Sequence, residues 1–198
     1  MAEAMAEKGY AATSVGDVLN RAGVSRRAFY QVFGSKLDCF LAAFDGARDI
    51  LIERIREGAM AASADRAGET GQAGGIGRAG AANDPVGRFE AAITAYLSAL
   101  AGELAFARLF LVESYAAGPE AVKRRIAAQE PIAESMARVL GVTGPAGRFT
   151  CATVIAAVGS MVTGLVATGD ADGIRALGPA LTEHVRRLWQ MGAFDEPR

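Results

Sequence analysis

Arg21, Arg26, Arg27 and Lys36 fall between Asn20 and Lys36 with no acidic residue among them. The whole chain has a formal net charge of -1, yet four cations this close together make a local basic surface that attracts phosphate whatever the global balance. Arginine adds a planar fork of donors that pairs bidentately with guanine. A phenol such as Tyr30 or an ammonium such as Lys36 serves phosphate oxygens. Taken alone such a run reads as a solvated face; it offers recognition of double-stranded DNA only where the surrounding elements present these side chains together.

Other chemistries have less support. Gly75-Ile76-Gly77-Arg78-Ala79-Gly80 spells GxGxxG, but no strand precedes it and it lies in a low-complexity stretch, so it lacks the context of a dinucleotide site. The single histidine, His184, has no nucleophile pattern around it and sits beside Val185 and Leu188, as a packed or interface residue would. Cys39 and Cys151 lie far apart in apolar surroundings, reading as buried thiols in a reducing compartment. Asp65, Glu69 and the other acids show no metal-ligand spacing. The expectation is a protein that is not an enzyme and that has no cofactor and no metal.

The elements that must position the basic cluster are helices. Apolar residues recur at three- and four-residue steps and no segment alternates with period two, so the chain reads as all-α, with about nine helices. The spacing predicts a short helix over 1–8 ended by Gly9, and a second from Ser14 to Ala22 whose Ser14 and Asp17 form a capping-box start. A third runs from Ser25 to about Phe33, where Gly34 stops it, and Ser35 with Asp38 opens a fourth. That fourth helix carries Leu37, Phe40, Leu41, Phe44, Ala47, Leu51 and Ile55 as one apolar stripe, long enough to join the N-terminal unit to the remainder. From 62 to 83 the glycine-rich composition predicts a flexible loop. Helices are then expected over 85–101, 104–117, 119–140 with Pro131 as a kink or break, 145–168 and 171–191. Two domains follow, 1–46 and 47–198.

Between the second and third helices, Ala22 and Gly23 supply the small residue and the glycine that let two helices meet closely, as a helix-turn-helix requires. In the third, helical spacing sends Phe29, Val32 and Phe33 to one face and Arg26, Arg27, Tyr30 and Gln31 largely to another. Gly9-Tyr10, Thr13-Ser14-Val15, Ala22-Gly23-Val24-Ser25, Phe29-Tyr30, Phe33 and Ser35-Lys36 together resemble, in order and spacing, the signature of the TetR family over residues 9–41. The resemblance implies a homodimer that binds palindromic operator DNA and leaves it when a small molecule binds. Carried over residue by residue, it implies base contacts at Arg26, Arg27 and Ala28, phosphate contacts at Tyr30 and Lys36, and Thr13 or Ser14 near the DNA backbone, with Ser25 also in the DNA-binding set. Ala28 stands where the family often has threonine, which removes one polar contact. A chain starting nine residues before Tyr10 would also lack the basic arm that reaches the minor groove.

In the C-terminal part, Ala152, Ala156, Gly159, Ser160 and Thr163 leave a smooth strip on the 145–168 helix. The 171–191 helix has an apolar stripe of Ile174, Leu177, Leu181, Val185 and Leu188. These two helices are expected to form a four-helix bundle with the same pair of a second copy. Residues 149–168 lack a formal charge and are long enough to cross a bilayer, but their threonines, serine and glycines and the absence of an aromatic belt favour a helix packed among helices. With no signal-peptide pattern at the start, no membrane is expected and the location reads as cytoplasmic. An effector of unreadable class would sit among the middle helices, where Tyr96, Phe106, Phe110, Glu113, Tyr115, Met136 and Met161 offer aromatic, adaptable and polar surface, with Arg108 beside Glu113. The alternative is a helical dimer that binds ligands or proteins and has lost specific DNA binding.

Overall fold

Residues 1–69 and 84–195 are described by the computed structural model, the side chains of 54–69 excepted. Among them there is no strand, and ten helices follow in order: α1 (Ala2–Ala12), α2 (Val15–Ala22), α3 (Arg26–Val32), α4 (Lys36–Glu69), α5 (Pro85–Gly102), α6 (Leu104–Ala117), α7 (Pro119–Ala127), α8 (Gln129–Leu140), α9 (Pro145–Thr168) and α10 (Ala171–Gln190). Within α6 the stretch Leu109–Glu113 winds as a π-helical turn.

The ends of these helices follow local chemistry. Ser14 accepts from the Asp17 amide at 3.2 Å while Asp17 accepts from the Ser14 amide at 2.7 Å, so the capping box that starts α2 is complete. Gly23 closes α2 at φ 65, ψ 29, a left-handed conformation that a side chain would strain. α1 is broken at Gly9 (φ 77, ψ 169), as the sequence predicts, but one further turn follows it as far as Ala12.

Two expectations change. α4 is helical through 62–69, part of the segment assigned to a loop, because Ala-rich sequence up to Ala67 has strong helical propensity and glycine only enters at Gly68. Residues 70–83 of that expected loop lie outside the described residues. The break in the 119–140 segment falls at Ala128, three residues before Pro131, so the proline sits in the first turn of α8, where its missing N–H costs nothing.

The core is built in two parts. Val18, Leu19, Phe29 and Cys39 form a small cluster under α2 and α3, with Val15 and Phe33 against it. The main core includes Met5 of α1, Phe40, Phe44 and Ala47 of α4, and the buried faces of α5 to α10. α5 packs against both α4 and α10, α8 packs on α9, and α1 lies chiefly on α6. Thus the expected boundary near residue 46 runs through continuous packing: Tyr10 meets Phe40 edge-on at 5.1 Å, and Phe44 stacks on Phe110 at 4.7 Å. Arg124 of α7 donates to Asp45 of α4 at 2.6 Å across the same junction. Both cysteines are buried free thiols, and burial pushes the Cys151 thiol up to about 11.

Of the described helices, α9 alone is long and apolar enough to cross a membrane unaided; α5 and α6 qualify only as a pair, bent by 98° at their junction. Val154, Val158, Val162 and Val166 of α9 are buried, whereas its outward side presents Thr153, Ala156, Ser160 and Gly164.

Candidate nucleic-acid interface

α3 is only seven residues long, so neighbours must hold it. Ser25 caps it by accepting from the Ala28 amide at 3.1 Å. Phe29 pins it from below, buried against Val18 and Leu19 of α2 and within 5.3 Å of the Phe33 ring. The opposite side of α3 is open: Arg26, Arg27, Ala28 and Gln31 are exposed, and Tyr30 is 49% exposed with its ring edge-on to Phe29; Val32, expected on the buried face, is exposed too, at the last turn of α3. Among the described residues, neither arginine has an ion pair or hydrogen bond. A fixed helix therefore offers two uncommitted guanidinium groups and a phenol outward.

The remaining cations of the basic cluster are occupied. Arg21 pairs with Glu3 at 2.9 Å and with Glu7, fastening α2 to α1. Lys36 donates to the Tyr10 and Thr13 carbonyls at 2.9 and 3.0 Å, with its ammonium 4.1 Å from the Tyr10 ring centroid. It thus caps the C-terminus of α1, where a cation is favoured. Thr13 is 1% exposed, and its hydroxyl donates inward to the Gly9 carbonyl at 2.7 Å. The exposed Ser14 hydroxyl is engaged with Asp17. Lys8 also donates to Asp17 at 2.6 Å; that bond first, and those from Ser14 next, hold the Asp17 carboxyl well below its usual range. These networks tie α1, α2 and the start of α4 together beside α3.

Residues 2–43 match the family model described as bacterial regulatory proteins, tetR family. The chain carries a TetR-family helix-turn-helix domain. Within the matched residues α2, the turn at Gly23 and α3 form the helix-turn-helix, with α3 as its second helix. The crystal structure of a TetR family transcriptional regulator, PfmR, from Thermus thermophilus has the same fold, with a TM-score of 0.62 at 20% identity over 92% of this chain and 94% of that one. No curated protein matches the chain.

The seven residues expected to line an effector cavity do not line one space. Phe106 and Phe110 share an apolar crevice with Ala47, Ile50, Leu51, Glu103 and Ala107, whose volume of about 10 Å³ admits at most one water. Met136 is buried in the core, while Met161 faces outward on α9. Glu113, 4% exposed, is a tether rather than a free ligand group: its carboxylate accepts from the Tyr10 amide at 2.7 Å and from Arg108 Nε at 3.1 Å. A buried carboxylate needs such partners. Arg108 also donates to the Ala167 carbonyl near the end of α9 at 3.1 Å, so one chain of hydrogen bonds joins α9, α6 and the break in α1. Tyr96 and Tyr115 remain, and both lie by Arg125. Sequence reasoning missed Arg125, although it shares a helical register with Ala121 and Ala128, both buried.

Proposed function

We propose that this TetR-type chain is a ligand-responsive repressor that binds a palindromic operator as a homodimer and is released by a small molecule. The observation that carries the reading is α3: Arg26, Arg27 and Tyr30 stand exposed and uncommitted on a helix locked from beneath by Phe29. Such a helix can enter the major groove with arginines at guanine edges and the phenol at phosphate.

Dimerisation is supported by α9 and α10. The exposed Thr153, Ala156, Ser160 and Gly164 of α9 leave a surface smooth enough for another helix; the expected α10 stripe of Ile174, Leu177, Leu181, Val185 and Leu188 is instead packed in the protomer's own core, and α10 exposes Ala176, Ala180 and His184. A second copy there gives the two heads a palindrome requires. Threonine, serine and glycine on that face suit a helix partner better than lipid, which supports a cytoplasmic protein. Release by a ligand is supported by the Glu113 tether. An effector that moves α6 drags the α1 break through the Tyr10 amide, and Lys36 ties α1 to the start of α4, so the recognition helices change spacing.

The test is a mobility shift of the purified protein on the DNA flanking its own gene, with unrelated duplex as competitor. Specific retardation is expected, and Arg27→Ala combined with Tyr30→Ala should abolish it while leaving the oligomeric state unchanged. Full affinity in the double variant would contradict the placement of the recognition surface. Absence of specific binding to any DNA would transfer the weight to a helical dimer that binds ligands or proteins.

A further inference from the structure

Arg125 of α7 is a buried cation without an anion. It is 7% exposed; Nη1 donates to the Tyr115 hydroxyl at 2.6 Å, Nη2 donates to Thr163 Oγ1 at 3.1 Å, and the fully buried Nε has no partner. A guanidinium does not deprotonate in a protein, and burial of a charge is heavily penalised unless an opposite charge accompanies it. Glu113 is spent on Arg108 and Tyr10, and Asp45 on Arg124; among the described residues no carboxylate pairs with Arg125. Both partners of Arg125 are neutral hydroxyls.

We propose that Arg125 anchors a small organic carboxylate with an apolar body, bound between α5, α6, α7 and α9 beneath Tyr115. The proposal rests on the ligand-responsive reading and names the chemical class of its effector. The free Nε–H lies on the edge of the guanidinium that pairs bidentately with carboxylate oxygens. The Tyr115 hydroxyl accepts from Arg125 and so keeps its own proton to donate to an anion; the Thr163 hydroxyl already donates to the Gly159 carbonyl at 2.6 Å. Tyr96, whose phenol burial pushes up to about 12 against the opposing charge of Arg125, remains a protonated donor close by. One cation with neutral donors matches a monoanion better than a phosphate dianion. The body of the ligand meets apolar side chains, since Leu100 and Val166, both buried, follow Tyr96 and Thr163 by one turn on the same helix faces. Access is provided by Tyr115, which is 57% exposed and lies over the guanidinium, 4.9 Å from ring centroid to Cζ; a rotamer change there uncovers Arg125.

Melting of the full-length protein with millimolar benzoate or octanoate, against the neutral amides benzamide and octanamide, tests the site without DNA. At least one carboxylate should raise the Tm while its amide does not. Arg125→Met should abolish that shift and, being rid of a lone buried charge, melt no lower than the unliganded parent. Tyr115→Phe, at an exposed position that spares the core, should weaken the carboxylate effect several-fold. The proposal is overturned if neither carboxylate shifts the Tm, if the amides act equally, or if the shift survives in Arg125→Met. Operator affinity with and without the effective carboxylate separates the two ideas: stabilisation with unchanged DNA affinity keeps the anion site and removes the ligand-released repressor.

Discussion

Glu113 carries the contact between the DNA-binding motif and the helices behind it, 103 positions from the Tyr10 amide that it accepts from. A hydrogen bond to a buried charge contributes about 1.5–3 kcal/mol, and here it also sets the direction of α1 beyond Gly9. That break has no room for another residue, because a Cβ on Gly9 would lie 3.2 Å from Glu113 Oε2 at a φ of +77. Glu113→Gln keeps the shape and loses the charge. It should lower stability by about 1–2 kcal/mol in urea melts and speed exchange of the Tyr10 amide, and unchanged exchange would show that the tether does not hold α1. At this scale the sequence was legible where function is local. Arg26, Arg27 and Tyr30 emerge outward because seven residues of helix fix their directions. The inward partners of Thr13, Lys36 and Glu113 were not legible, because a polar residue type does not reveal whether its groups are engaged one turn back, as for Thr13, or with a distant segment, as for Lys36 and Glu113.

Among the elements, α2 shows how far local chemistry reaches: a serine cap, an acid three residues on and a left-handed glycine fix both its ends from the sequence alone. α9 likewise begins at Pro145 and ends at Thr168, where the sequence places it. Its small-residue strip was only half legible. Ala152, Ala156 and Ser160 face out, but Gly159 is buried and Thr163 turns toward Arg125, since the strip spans more of the helix circumference than one interface covers. Where a segment is uniformly favourable to helix, breaks are set by packing, which is why α7 and α8 part at Ala128, a buried residue, instead of at the proline. The outward face of α9 belongs to the dimer in this account. Ser160→Arg puts a long charged side chain at its centre; it should turn the dimer into a folded monomer by sedimentation and lower operator affinity with it. A dimer of undiminished strength would place the interface elsewhere.

For the whole molecule, the two cores, the aromatic contacts from Tyr10 through Phe40 and Phe44 to Phe110, and the Arg108–Glu113 chain make the recognition unit and the helices behind it one packed body. A ligand event in α6 or α7 therefore has a physical route to α3, by way of α1 and α4. The net charge of -1 conceals how little charge faces DNA: Arg21 and Lys36 are tied up within the fold, which leaves Arg26 and Arg27 as the uncommitted cations of the motif. The salt dependence of DNA binding reads that directly. If each of the four such cations of the proposed dimer displaces one phosphate counterion on entering the groove, the slope of log affinity against log salt is about -3.6, or roughly a hundredfold loss between 50 and 200 mM salt. On an operator selected by the protein from random duplexes, the parent should show that slope, and Arg26→Ala with Arg27→Ala should lose both the slope and the sequence preference. A slope and preference left intact by the double substitution would mean that α3 is not the surface that reads DNA.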